Sequence, residues 1–116
     1  MRLAAIVLVL ASLAGTASAM DDNSRYYVLG AGTVRCSSYL TATPEQKLYA
    51  ETWLAGYTSA MNRSTADTYN LLTISTDEAK ARLEQYCREN PDRLFAYAVH
   101  QLLENLYPNR VQRAPN

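Results

Sequence analysis

Apolar residues recur along this chain in blocks whose spacing predicts the elements. Residues 3–13 form an almost unbroken apolar run behind a positive Met1-Arg2 start. Ala17-Ser18-Ala19 then supplies small residues at the spacing a signal peptidase accepts, so residues 1–19 read as a secretory signal cleaved after Ala19. The run is shorter than the about 20 consecutive apolar residues a spanning helix needs. No cysteine follows the cleavage point, so neither a lipoprotein anchor nor another stable membrane anchor is indicated.

Residues 20–32 lack helical periodicity and read as an irregular N-terminal arm. Tyr26-Tyr27-Val28-Leu29 has the pattern of a short strand or an apolar arm, and Gly30-Ala31-Gly32 breaks it. Those glycines read as a turn, not a phosphate loop, because the rest of that fingerprint is missing. Thr33 is placed to cap a short helix through Cys36 to about Leu40. Thr43-Pro44-Glu45 then starts a helix running to about Asn62. Its apolar positions are Tyr49, Trp53, Leu54, Tyr57 and Met61, with Gly56 and Ala60 between them; Glu51, Thr58, Ser59 and Asn62 fall opposite. Gly56 and Ala60 lie four apart, which permits close approach of another backbone, either within the core or at a dimer seam.

Residues 63–74 form a polar loop whose Tyr69, Leu71, Leu72 and Ile74 are expected to fold back over the core. Asn62-Arg63-Ser64 matches a glycosylation acceptor, a short pattern that matters only in a glycosylating source. Ser75 and Glu78 have capping-box spacing. The helix that follows places Ala79, Leu83, Tyr86 and Cys87 on one side and Lys80, Glu84 and Arg88 on another, at four-residue charge spacing. Asn90-Pro91-Asp92 is expected to end this helix and begin the next. That last helix carries Leu94, Phe95, Ala98, Val99, Leu102, Leu103 and Leu106 on its buried side and stops at Tyr107-Pro108. Residues 109–116 read as a polar, mobile tail. The expectation is all-α: a small four-helix, bundle-like domain over residues 33–108.

Removing 19 of the 116 residues leaves 97, enough for one small domain whose modest core benefits from a staple or a partner. Cys36 and Cys87 are an even, isolated pair in a chain read as exported, which points to a disulfide. The alternatives are a catalytic thiol or a metal pair. There is no Cys-x-x-Cys, and the single His100 does not complete an ordinary zinc site. His100 sits opposite the leucine stripe of the last helix and is expected to face solvent. No Ser-His-Asp set, phosphate loop or metal triad is visible, so neither enzyme chemistry nor a cofactor is expected. Nine tyrosines suit core and interface packing. Without Arg2 the chain has 10 basic and 11 acidic residues, and no long basic run, so nucleic acid is not an expected partner.

The order of Cys36, Trp53-Leu54-Ala55-Gly56-Tyr57, Tyr86-Cys87, Asn90-Pro91 and Ala98 on a leucine-rich helix resembles the HdeA/HdeB family of small periplasmic proteins. The resemblance covers residues 36–106. It implies a helical fold held by one disulfide. It also implies a homodimer near neutral pH that loosens in acid, exposes apolar surface and holds unfolding client proteins in solution. Trp53, Leu54, Gly56, Tyr57, Tyr86, Asn90 and Pro91 carry the family pattern. The family pattern marks no client-binding residues; from apolarity alone, Tyr49, Leu54 and Met61 are the candidate protein-binding surface. The chain is similar also to immunity proteins of bacterial type VI secretion, which would bind one toxin tightly. A non-catalytic structural role in the periplasm is the third reading.

Overall fold

The computed structural model describes residues 26–116; the expected signal and the start of the arm lie outside the described residues. Among the described residues the structure is helical, with one disulfide. Its helices are α1 (Cys36–Leu40), α2 (Pro44–Ser64), α3 (Thr76–Glu89) and α4 (Phe95–Leu106). A 3-10 turn at Gly30–Thr33 precedes α1, and another at Tyr107–Asn109 follows α4.

Each helix starts where local chemistry satisfies its first N–H groups. Thr43 and Gln46 form a reciprocal capping box at α2: the Gln46 N–H donates to Thr43 Oγ1, and the Thr43 N–H donates to Gln46 Oε1. The Ser75 cap of α3 differs from the expected box. The Glu78 N–H donates to Ser75 Oγ, but the Glu78 carboxylate pairs with Arg82 one turn on. The expected start of α4 at Asn90-Pro91-Asp92 is three to five residues early. The Asn90 side chain donates to the Tyr86 carbonyl and finishes α3, and α4 begins only at Phe95. Residues 91–94 form a non-helical turn, closed by Arg93 N–H to Asn90 O, whose carbonyls serve α1: Cys36 N–H donates to Arg93 O at 2.8 Å and Ser37 N–H to Pro91 O at 2.9 Å. Phe95 N–H returns to Val34 O at 2.7 Å, and Arg35 bridges Leu94.

Cys36 and Cys87 are joined in this same region and are fully buried. The bridge spans 51 residues, and the chain-entropy treatment gives a loop of that length about 4 kcal/mol. Around it lies the core. Seven residues of α4 are buried: Phe95, Ala96, Ala98, Val99, Leu102, Leu103 and Leu106. From α3 come Ala79, Leu83 and Cys87, from α1 Cys36 and Tyr39, and from the loop Leu71. Burying a Phe, Leu or Val side chain is worth about 1.5–3 kcal/mol each. Leu72 and Ile74 pack against this core as expected, whereas Tyr69 is exposed.

The orientation of α2 departs from expectation. Ala50, Leu54 and Thr58 point inward, with Trp53, Tyr57 and Met61 on the flank. Gly56, Ala60 and Tyr49 face outward. Thr58, expected on the polar side, is 5% exposed, and its hydroxyl has no hydrogen-bond partner. Trp53 is half-buried and not the centre of the core. Its ring stacks on Tyr57, meets Phe95 edge-on, and donates from Nε1 to Leu29 O at 2.7 Å. The 3-10 turn passes directly beneath it. Gly30 sits at φ +69, a glycine conformation, and a Cβ on Gly32 would collide with the indole ring.

Asn62 is inside α2, and its side-chain oxygen accepts from Leu71 N–H at 2.9 Å. The amide of the glycosylation pattern is therefore occupied in holding the loop. The tail expected as mobile is held at its root, where Val111 pairs with Asn70 and Arg110 lies over the Tyr107 ring.

Two substitutions test this packing. Gly32→Ala is expected to destabilise by about 1–3 kcal/mol, the range for overpacking, and to shift Trp53 fluorescence. Thr58→Val removes the unpartnered hydroxyl at nearly constant volume and is expected to stabilise by about 1 kcal/mol. Urea unfolding midpoints measure both.

Candidate functional site

The residues with chemistry to offer gather where α2 meets the rest of the molecule. Lys47 Nζ on α2 lies 3.0 Å from Glu84 Oε1 on α3. One turn along, Glu51 Oε1 on α2 lies 3.1 Å from Lys80 Nζ on α3. Lys80 and Glu84 were expected to face each other along α3; both reach across to α2 instead. Each pair is partly open to water, so each contributes well under about 1 kcal/mol. Tyr39 of α1 lies between them. Its ring is 5.5 Å from Lys47 Nζ, and burial, then Glu84, then Glu51 push its hydroxyl up to about 12.

The other end of α2 carries a hydrogen-bonded chain. Tyr57 Oη is 3.3 Å from His100 Nδ1, and His100 Nε2 is 2.9 Å from Glu104 Oε1. His100 is thus half-buried and engaged on both nitrogens, not solvent-facing as its helical position suggested. With the ring proton on Nε2 it donates to Glu104 and accepts from Tyr57. Tyr57 also bonds Tyr26, which ties the arm to α2. Burial, then Tyr26, then Glu104 raise the Tyr57 hydroxyl to about 12.

Two hollows flank this junction. A groove of about 590 Å³ runs beside the N-terminal half of α2, floored by Tyr39, Ala50 and Phe95 and rimmed by Val34, Arg35 and Tyr49. A pocket of about 330 Å³ at the far end is lined by Met61, Leu71, His100 and Leu103 among others. Neither holds a nucleophile beside a base. Among the described residues no cluster of His, Cys, Asp or Glu is arranged to hold a metal ion, and no helix is long and apolar enough to cross a membrane.

The expected protein-binding surface does not form one patch. Tyr49 is 61% exposed at the groove, Met61 is half-buried at the opposite end, and Leu54 is 5% exposed and belongs to the core. The family-pattern residues divide by role. Trp53 and Tyr57 cover the 3-10 turn and α4. Tyr86 and Asn90 close α3, and Pro91 supplies its carbonyl to α1. Gly56 is exposed, and nothing lies within 4 Å of where its Cβ would be. Sequence reasoning missed the two cross-helix pairs. The available signal was the matching four-residue step of Lys47 and Glu51 with Lys80 and Glu84.

The described residues thus form a small helical domain closed by one disulfide, with α2 paired to α3 through two ionisable side-chain contacts. The HdeA/HdeB family profile matches residues 2–96, and the chain belongs to that family. The family consists of periplasmic acid-stress chaperones, not enzymes. No curated protein and no solved structure matches the chain significantly.

The raised tyrosines have a defined consequence. Their folded pKa values exceed the unfolded value of 10, so their contribution is fully present below pH 10 and is lost as pH rises toward about 12. Stability is expected to fall across that window, and the fall to shrink in Tyr39→Phe and Tyr57→Phe. Urea midpoints followed together with tyrosinate absorbance measure it.

Proposed function

We propose that this chain is a periplasmic acid-stress chaperone that binds unfolding client proteins through apolar surface uncovered at low pH. The observation that carries the proposal is membership of the HdeA/HdeB family over residues 2–96. The charge inventory supports it. Below about pH 3 most carboxylates are protonated. The exported chain then keeps 10 basic side chains and gains His100 and the amino terminus, moving from about −1 to about +12. Self-repulsion on that scale opposes compact states. The disulfide is indifferent to acid and limits how far the chain opens.

Export by residues 1–19 and cleavage after Ala19 belong to the same proposal, as does a homodimer at neutral pH. The outer face of α2 is the surface for that dimer. Leu48 and Tyr49 are 58% and 61% exposed on it, and Gly56 lacks any intramolecular contact that would require a glycine. A glycine inside a helix costs about 1 kcal/mol against alanine. Close approach of a second α2 gives that cost a purpose.

Light scattering of an acid-denatured client at about pH 2–3, below the carboxylate range, tests the activity. Aggregation is expected to fall in the presence of the purified protein; unchanged aggregation at molar excess refutes the proposal. The dimer is expected in sedimentation at about 100 μM, since interfaces of standard size usually bind more tightly than that. Gly56→Leu, which meets open space in one chain, is expected to yield a folded monomer.

A further inference from the structure

The described part of the arm, from Tyr26 onward, lies between α2 and α4 and follows α2 in steps. Val34 O accepts from Phe95 N–H at the start of α4, and Leu29 O accepts from Trp53 Nε1 on α2. Val28 beside it is buried. One helical turn further along α2, Tyr26 bonds Tyr57, whose hydroxyl is 3.3 Å from His100 Nδ1 on α4. The arm thus runs antiparallel to α2. Going from Leu29 back to Tyr26 passes the helix from Trp53 to Tyr57, three arm residues to one turn.

Beyond Tyr26 the groove continues. The next turns of both helices form the pocket of about 330 Å³. Met61 and Thr65 come from the α2 side and Leu103 and Glu104 from α4, with Leu71 and His100 closing it. Leu71 and Leu103 make its floor apolar. Its rim carries charge in a fixed order. Nearest Tyr57 is Glu104, which holds His100 through Oε1 and accepts from Gln101 at Oε2, and which is still 57% exposed. Farther out Tyr107 lines the pocket, with the Arg110 guanidinium 4.0 Å from its ring centre.

Six residues separate the proposed cleavage point from Tyr26: Met20, Asp21, Asp22, Asn23, Ser24 and Arg25. Fully extended, they reach about 20 Å. The two helical turns from Tyr57 to Thr65 cover about 12 Å. At the pace of the arm, Asn23 comes level with Met61 and Met20 with Thr65. The charges of the segment run in the complementary order, with Arg25 toward Glu104 and then Asp22 and Asp21 toward Arg110. Met20 is its one apolar residue, and an unbranched thioether side chain suits an irregular apolar gap.

We infer that the pocket between the C-terminal halves of α2 and α4 is the seat of the exported chain's own first residues, Met20–Arg25, with the Met20 side chain filling it. The inference rests on the proposed cleavage after Ala19 and on no other part of the proposed function. It assigns this pocket an occupant from the same chain, joining the start of the exported protein to the ends of two helices.

Mass spectrometry of the protein purified from the periplasm reads its first residue, expected to be Met20. Another start defeats the cleavage proposal, and the docking is then tested on the chain produced directly from Met20. NMR of isotope-labelled methionine and leucine methyl groups at neutral pH reports the seat. The Met20 methyl is expected to show nuclear Overhauser contacts to the Leu103 and Met61 methyls. A Met20 methyl at its free-peptide position, without those contacts, overturns the proposal. In a mixture of labelled and unlabelled chains, contacts that arise only between copies overturn it too, in favour of a second copy as the occupant. Met20→Asp keeps every residue of the core. It is expected to abolish the contacts and to shift the His100 ring and Leu103 methyl resonances, while those of Ala79 and Leu83 stay in place. If His100 and Leu103 do not respond, this pocket is not the seat.

Discussion

The bond between Cys36 and Cys87 sets the architecture, because it acts where two backbone segments already pair. Residues 34–37 and 91–95 exchange hydrogen bonds across the same short stretch that the two sulfurs join. That pairing gives α1, five residues long, a fixed place that its own length could never secure. It also fixes the start of α4. Residues 91–94 stay outside the helix as a turn whose carbonyls serve α1, and the helix begins only when Phe95 has returned its N–H to Val34. From there the leucines of α4 are aimed at the core. The staple thus decides the register of the closing helix as well as the entropy of the open chain.

How legible the fold was depended on how unevenly each helix distributes its apolar residues. In α4 they are concentrated on a wide face, and all seven positions read as buried are buried. In α3 the Ser75 start and the side bearing Ala79, Leu83 and Cys87 were equally plain. In α2 apolar and small polar residues are spread nearly evenly around the axis, so spacing alone placed Leu54, Trp53, Tyr57 and Met61 correctly but misplaced Tyr49 and Thr58. Tyr49 and Trp53 look like core residues by size, yet Ala50, Leu54 and Thr58 occupy the inside. The partners of His100, Lys80 and Glu84 were illegible for a related reason. Apart from Glu104, which follows His100 by one turn, these partners (Tyr57, Glu51 and Lys47) lie on α2, far away in sequence, and a pattern along one helix carries no information about what faces it. The Asn90-Pro91-Asp92 signal was genuine as an end to α3. It misled as a start, because the carbonyls that would have begun a helix were committed to α1.

The same contrast separates a rigid part of the molecule from a conditional one. Backbone bonds and a covalent bridge are insensitive to proton concentration over the range a cell envelope meets. Carboxylate–lysine pairs and an imidazole are not. This chain puts the first kind around Cys36 and Cys87 and the second kind under α2. Each partly exposed pair contributes little by itself. The outward face of α2, with Leu48, Tyr49 and Gly56, is the surface proposed for a second copy.

Asn62 has a further consequence. Its side-chain oxygen accepts from the Leu71 N–H and its amide lies 3.5 Å from Asn70. Leu71 is 2% exposed and belongs to the core, so one side chain of α2 fixes where the long connection to α3 turns inward. None of these groups carries a charge, and the placement of that connection is therefore independent of the salt and acidity of the surroundings.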